Sequence, residues 1–155
     1  MKTSTHRRGG FPTGGAFRII GAMWPWLASL LAKETPQSDA LGPRGETLAA
    51  KYLREAGYRI VIRNFRCEMG EIDIIARDGR TLVFVEVKTR EDDDPTPEAQ
   101  VNAVKQHQLT KAARYYLSKY RGPQPPARFD VVAIVWPEGQ EAKIRHTQAA
   151  FEATF

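Results

Sequence analysis

The stretch EIDIIARDGRTLVFVEVK, residues 71–88, decides the fold. Apolar and β-branched side chains dominate both halves, residues 71–77 and 81–88, as is typical of strands. Between the halves lies Asp78-Gly79, and an Asp-Gly pair suits the positive φ angles of a two-residue type I′ turn. The stretch therefore predicts a β-hairpin with these two residues as its loop.

This loop predicts which side chains meet across the hairpin. Asp73 would face Phe84, Glu71 would face Glu86, and Asp73 would lie diagonally from Glu86, roughly 7–8 Å away between backbones. Because side chains alternate along a strand, Asp73, Glu86 and Lys88 share one face. An apolar hairpin has no structural need for two acids and a lysine there. A divalent metal site with a catalytic lysine would explain them.

Length and composition limit the alternatives. The chain has 155 residues, 42% of them hydrophobic, which is enough for one domain with a core and a short appendage. The net charge is 23 − 18 = +5, but residues 41–155 carry 18 basic against 16 acidic side chains. Bulk charge therefore supports nucleic-acid binding only weakly. Cys67 is the single cysteine, which rules out an internal disulfide and suits a reducing, cytoplasmic setting.

The N-terminal part differs in composition from the rest. Residues 17–32 are mostly apolar and permit interpretation as a signal peptide, an interfacial helix or a short membrane anchor. The run is shorter than the roughly 20 residues that span a bilayer, and Arg18 and Pro25 interrupt it, so we expect no stable membrane span. We favour a poorly ordered or interfacial extension over residues 1–42, with Met23 as an alternative start.

Beyond the hairpin, the pattern predicts a single α/β domain over residues 43–155. The expected order is α-β-β-β-α-β, a mixed sheet flanked by helices, with a further edge strand at the end. The predicted elements are a helix over 43–56 that ends at Gly57, a strand over 58–65, the hairpin, a polar connector over 89–97, a helix over 98–120, a strand over 128–136 and an edge strand over 142–146.

A further acid lies on the first predicted helix. Glu46 shares an apolar stripe with Ala49, Ala50 and Leu53, at helical spacing. A carboxylate on a buried stripe is costly unless it is paired or bound to a cation. Taken alone, Glu46 is more simply an acid that suits the positive end of the helix dipole. Together with the hairpin acids, it favours a site.

Glu46, Asp73 and Glu86-Val87-Lys88 look like the signature of the PD-(D/E)xK nucleases, the restriction-endonuclease-like superfamily. The predicted order of elements resembles theirs. The superfamily's proline is absent, since Ile72 precedes the aspartate. The chain resembles most the YraN-like family of uncharacterised proteins, which is similar to Holliday-junction resolvases. The stretches that carry this resemblance are 45–46, 57–58, 63–66, 70–73, 84–90, 105 and 128–132.

The resemblance implies a restriction-endonuclease-like fold and a metal-dependent endonuclease. Glu46, Asp73, Glu86 and the carbonyl of Val87 would bind Mg²⁺ or Mn²⁺, and Lys88 would assist the attacking water. The substrate would be DNA, branched or damaged. Since resolvases work as dimers, a homodimer is also implied. The alternative is a non-catalytic nucleic-acid-binding module with the same fold.

Five basic residues are candidates for phosphate contact: Arg63, Arg66, Arg90, Lys105 and Lys111. Each alone is more typical of a solvated surface charge. Arg90 and Lys105 are favoured because they flank the connector nearest the hairpin acids. A third hypothesis, a membrane-surface protein acting through residues 17–32, is left open by the sequence.

Overall fold

A five-stranded mixed sheet with a helix on each face forms the domain. The structure, a computed structural model, describes residues 38–94 and 97–153. The elements are α1 (Ser38–Glu55), β1 (Arg59–Cys67), β2 (Gly70–Asp78), β3 (Thr81–Arg90), the 3-10 helix η1 (Pro97–Gln100), α2 (Ala103–Ser118), β4 (Ala127–Val135) and β5 (Lys143–Phe151). The predicted α/β class and order are confirmed.

The strands lie in sequence order, β1-β2-β3-β4-β5. Among the strands of the described residues, only the β3–β4 pair is parallel, and η1 with α2 forms the crossover that this pairing requires. The other neighbours are antiparallel. β3 is the central strand, and six consecutive residues of it are buried, because both of its faces are covered.

Two apolar clusters lie on opposite faces of the sheet. On one face, Ala49 and Leu53 of α1 pack with Ile74 and Val85. On the other, α2 packs Leu109 and its neighbours against the strands. The helix over 98–120 was predicted as continuous, but it is divided into η1 and α2. Asn102 caps α2, since its side chain accepts the backbone N–H of Lys105.

The end of α1 agrees with the prediction, and its start does not. Gly57, at φ 90°, ends the helix as expected. The helix begins at Ser38, before the predicted start, and Pro43 lies inside it. The predicted N-terminal extension lies, up to residue 37, outside the described residues. No helix among the residues described combines the length and the apolar character needed to cross a bilayer.

The predicted hairpin register is wrong. Asp78 pairs with Thr81 as the last rung of the ladder, so the two loop residues are Gly79 and Arg80. Gly79 has a φ of 56°, and positive φ at the first loop position is what a type II′ turn needs. The glycine is therefore used one position earlier in the loop than the type I′ interpretation assumed.

This register changes which acids face each other. The ladder ends with Ile74 opposite Val85, and Phe84 lies opposite Ile75, so the expected pair of Asp73 with Phe84 is wrong. The recorded partners are displaced by two positions from the predicted ones, so the register that would have paired Glu71 with Glu86 is wrong as well. Beyond the ladder, the side chain of Asp73 accepts the backbone N–H of Val87, which brings it to the segment of β3 that carries Glu86.

Candidate functional site

Two carboxylates lie side by side where β2 meets β3. The side chain of Glu86 is only 2% exposed, and Asp73 is partly buried. Oδ2 of Asp73 accepts a hydrogen bond of 2.7 Å from the backbone N–H of Val87. This bond fixes the aspartate across the hairpin, so the backbone of β3 orients one carboxylate while the same strand carries the other.

Two lysines approach one oxygen of Glu86. Nζ of Lys105, from α2, lies 2.9 Å from Oε1, and Nζ of Lys88, from β3, lies 3.4 Å from the same atom. The other oxygen of Glu86, Oε2, is buried without a hydrogen-bond partner among the described residues. An unsatisfied buried acceptor costs about 1–3 kcal/mol, and more when it is charged. The site therefore has an oxygen turned toward no protein donor.

The pKa of Asp73 shows that negative charge is concentrated at this site. Burial, and after it the charge of Glu86, raise the pKa of Asp73 to about 7. The hydrogen bond from Val87 and the charge of Lys105 act in the opposite direction, and Glu46 adds a smaller upward effect. Two adjacent carboxylates in a poorly solvated position favour either a shared proton or a bound cation.

The ammonium of Lys105 responds to the same charges. Burial alone would lower the pKa of Lys105, but Glu86 and Asp73 outweigh burial and raise the pKa above its usual value. Lys105 therefore stays charged and neutralises part of the acid pair. The sequence suggested only a phosphate contact for Lys105, and that role stays a prediction.

The donor set fits a hard divalent cation. Carboxylate oxygens are the ligands that Mg²⁺ and Mn²⁺ prefer, and Oε2 of Glu86, buried without a hydrogen-bond partner among the described residues, offers one such oxygen. Among residues 38–94 and 97–153, no group of three or more His, Cys, Asp or Glu is already gathered at metal-binding distances. Protein oxygens at this position would supply only part of a coordination shell, and Mg²⁺ usually keeps several waters.

Glu46 is held near the acid pair by a close approach between α1 and β3. A Cβ atom added to Gly45 would lie 1.8 Å from Oγ1 of Thr89, so only glycine allows the helix to pass so near the strand. Glu46 follows directly in the chain and is partly buried. Its charge reaches Asp73, but it does not complete a three-acid group.

The other predicted contacts lie at the borders of the site. Arg63 is exposed and donates to Oγ1 of Thr47 at 3.0 Å, next to Glu46. Arg66 is exposed and forms an ion pair of 3.4 Å with Glu71 on the neighbouring strand. The backbone carbonyl of Arg90 accepts a hydrogen bond from the backbone of Trp136, which ties the end of β3 to the end of β4. Their phosphate contacts stay predictions.

A second polar cluster was missed by the sequence interpretation. Asp130 of β4 is fully buried, and Oδ2 lies 2.9 Å from Nε2 of His146 while Oδ1 accepts the backbone N–H of Ala149. Arg128 binds the same carboxylate and also donates to the hydroxyl of Tyr58. Burial would raise the pKa of Asp130, but these donors lower it below its usual value. The cluster joins β4 and β5 to Tyr58, the residue before β1.

The only sequence signal for this cluster was a pair of charges in an apolar strand, Arg128 and Asp130, two positions apart. Their common face could be predicted, but the partner His146 comes from a strand whose register the sequence does not specify. The arrangement ties strands together inside the domain, and it stands apart from the acid pair, since Val85, the β3 residue paired with Asp130, points to the opposite face from Glu86.

Comparison with known proteins identifies relatives that match three quarters or more of this chain. A family model described as "Uncharacterised protein family UPF0102" matches residues 45–134. A UPF0102 protein of Geotalea uraniireducens is 46% identical over 80% of this chain and 98% of its own length. One from Geobacter metallireducens is 49% identical over 76% of this chain and 97% of its own. One from Nocardia farcinica is 43% identical over 80% of this chain and 98% of its own length. The chain therefore belongs to the UPF0102, or YraN-like, family of uncharacterised proteins.

Proposed function

We propose that this protein is a metal-dependent endonuclease that hydrolyses phosphodiester bonds of DNA, with branched or damaged DNA as its substrate. The single observation that carries the proposal is the buried carboxylate of Glu86. One of its oxygens meets two lysines, while the other is buried and meets no donor among the described residues. A buried acid pair with adjacent ammonium groups is costly for stability alone and useful for phosphate chemistry.

The acids would hold the metal. Glu86 and Asp73 supply oxygens from neighbouring strands, Glu46 approaches from α1, and the carbonyl of Val87 is a further candidate ligand. Mg²⁺ or Mn²⁺ bound there would polarise the phosphate and promote ionisation of the attacking water. The protein's own contribution is to keep these oxygens on rigid strands, so that little reorganisation accompanies the reaction.

The two lysines are suited to different tasks. The side chain of Lys88 is 29% exposed, so its ammonium can reach a substrate phosphate or orient the water. The side chain of Lys105 is 17% exposed and closer to Glu86, which suits a role in holding the carboxylate. In this proposal Lys88 stabilises the negative charge that develops on the phosphate, and Lys105 positions Glu86.

The test compares cleavage by matched variants. Glu86→Gln and Lys88→Met remove one charge each from the site, and Lys143→Met removes an exposed charge from β5 as the control. We expect wild type and Lys143→Met to cleave four-way-junction, flap or nicked DNA with Mg²⁺ or Mn²⁺, and the two site variants to lose at least ~100-fold in rate. Unchanged metal-dependent cleavage by both site variants would refute the proposal.

A non-catalytic nucleic-acid-binding module is the second candidate function. The observation that favours it is that Lys105 already neutralises Glu86, and that the described acids are not gathered as a group of three. The two functions differ in how Mg²⁺ acts. A binding module would bind DNA with the same affinity and salt dependence with or without Mg²⁺, and it would leave every substrate intact.

A further inference from the structure

An open groove of about 590 Å³ lies between the end of α1 and the first half of β1. Its charged side chains are three arginines, Arg54 of α1 and Arg59 and Arg63 of β1. All three are exposed. No acidic residue lines the groove, whose lining residues all belong to the described part of the chain. We call this surface the arginine groove.

The arginines of this groove form few polar contacts with other described residues. In the part of the chain that the structure describes, Arg54 and Arg59 form no ion pair or side-chain hydrogen bond. Arg63 uses one N–H, to Oγ1 of Thr47, and a guanidinium carries five. Three guanidiniums without acids raise the local positive potential in a domain whose overall charge is nearly balanced.

One end of the arginine groove lies beside α1. Arg63 pairs across the sheet with Ile74, so its side chain is on the face of the sheet that α1 covers, and there it contacts the helical turn that carries Glu46. From there the groove runs back along β1 to Arg59. Four residues of strand cover roughly 13 Å at ~3.3 Å each, the length of about four stacked nucleotides.

We propose that the arginine groove binds the sugar-phosphate backbone of the DNA substrate, next to the helical turn that carries Glu46. The inference deepens the proposed nuclease function and rests on it. Guanidinium groups match phosphate oxygens in charge and geometry, and β1 is an edge strand whose outer backbone N–H groups can add further donors. Contacts of this kind set the position and direction of the strand without reading its sequence.

A second copy of this chain is the competing occupant, because an exposed edge strand can pair with another edge. Two features argue against it. A symmetric pairing of β1 with β1 would bring like-charged arginines together. In addition, the ladder of β1 shifts register between Ile60 and Ile62, and such a bulge interrupts the regular edge that a partner strand would need.

The test measures binding of a fluorescein-labelled single-stranded DNA by anisotropy, with the full-length chain in EDTA so that no cleavage occurs. The double variant Arg54→Gln/Arg59→Gln removes two charges from the groove. The control, Arg80→Gln/Arg121→Gln, removes two exposed charges elsewhere. Each phosphate contact contributes ~0.7 to the salt slope, so the groove variant should lose ~1.4 in slope and bind about 25-fold more weakly near 0.1 M salt. The control should bind like wild type.

Three outcomes would overturn the arginine groove as a DNA site: no binding by wild type at low salt, equal losses in the groove and control variants, or unchanged binding by the groove variant. If the groove variant instead loses self-association in sedimentation velocity while DNA binding is intact, the groove is an interface between copies. Cleavage is scored separately with Mg²⁺. If the groove variant binds DNA more weakly but wild type cleaves no substrate, the nuclease proposal is refuted and the groove proposal stands. If wild type and the groove variant cleave and bind DNA equally well, the groove proposal is refuted and the nuclease proposal stands.

Discussion

Replacing Asp73 with Asn tests the electrostatics of the acid pair without an assay of catalysis. Asparagine has nearly the same shape as aspartate and keeps an oxygen that can accept the N–H of Val87, 2.7 Å away. The substitution therefore removes the charge that crowds Glu86 while it preserves the bond that fixes the side chain. Any change in stability then reports on the charge.

The magnitude follows from the pKa of Asp73, which is raised from 3.8 to about 7 by burial and by Glu86. A raised acid pKa means that the folded state holds the proton more tightly, so stability falls as pH rises from 3.8 to about 7. At ~1.36 kcal/mol per pKa unit, the cost of ionised Asp73 reaches about 4 kcal/mol above that window. An asparagine side chain carries no such cost, so we expect Asp73→Asn to be more stable than wild type by about 2–4 kcal/mol at pH 8.

Urea unfolding at pH 4, 6 and 8, followed by tryptophan fluorescence and circular dichroism, measures this difference. We expect the advantage of Asp73→Asn to be near zero at the lowest pH and to grow as pH rises. Glu138→Gln, which removes an exposed acid from the β4–β5 turn, is the control and should show no such trend. Mg²⁺ should stabilise wild type and leave Asp73→Asn unchanged. A variant less stable than wild type at pH 8 would refute the reasoning.

Four further substitutions test other parts of the structure. Gly45→Ala should lower the unfolding free energy by about 1–3 kcal/mol, since its Cβ would meet a side-chain oxygen at 1.8 Å, whereas Gly42→Ala, with no atom within 4 Å, should raise it by about 0.5–1 kcal/mol. Asp130→Asn should cost about 3 kcal/mol at neutral pH; because the pKa of Asp130 is lowered, this difference should shrink as pH falls below 3.8. Lys105→Met should bind Mn²⁺ on the order of tenfold more tightly by calorimetry, because its ammonium lies 2.9 Å from Glu86 and competes with a cation.

Each of these has a result that would contradict it. Equal effects of the two alanine substitutions would mean that α1 does not pass β3 as closely as the structure shows. A pH-independent loss in Asp130→Asn would assign its effect to packing and not to charge. Weaker Mn²⁺ binding by Lys105→Met would show that the lysine supports the metal site, where we expect competition.

The sequence was sufficient to predict the strands of the hairpin, but it was insufficient to predict the register in which they pair. Alternation and β-branched content located β2 and β3 because both strands are long and strongly apolar. The register depended on which loop position takes positive φ, and one glycine satisfies either choice. With Gly79 at the first loop position, the pairing is displaced by two residues along β3, so that Ile75 and not Asp73 lies opposite Phe84. The choice between a type I′ and a type II′ turn, which the sequence pattern does not reveal, thus decides which side chains lie opposite each other.

The candidate site was predicted in the parts that lie close together in the chain. Asp73, Glu86 and Lys88 belong to one hairpin, so alternation alone placed them on one face. The contact of Lys105 with Glu86 depends on how α2 crosses the sheet, and helical spacing gives no position along the partner strand. The buried cluster around Asp130 was missed for the same reason, since His146 arrives from a separate strand.

The parallel pairing of β3 with β4 has a consequence for the order in which the parts of the candidate site form during folding. The hairpin can bring Asp73 and Glu86 together early, because closing a short loop costs little entropy. Lys105 arrives only when the crossover docks, a non-local and therefore slower step. A nascent or partly folded chain would thus expose an uncompensated acid pair, and divalent ions would occupy it most readily at that stage. We expect Mg²⁺ to accelerate refolding through this pair, so that folding itself becomes the step at which the ion is acquired.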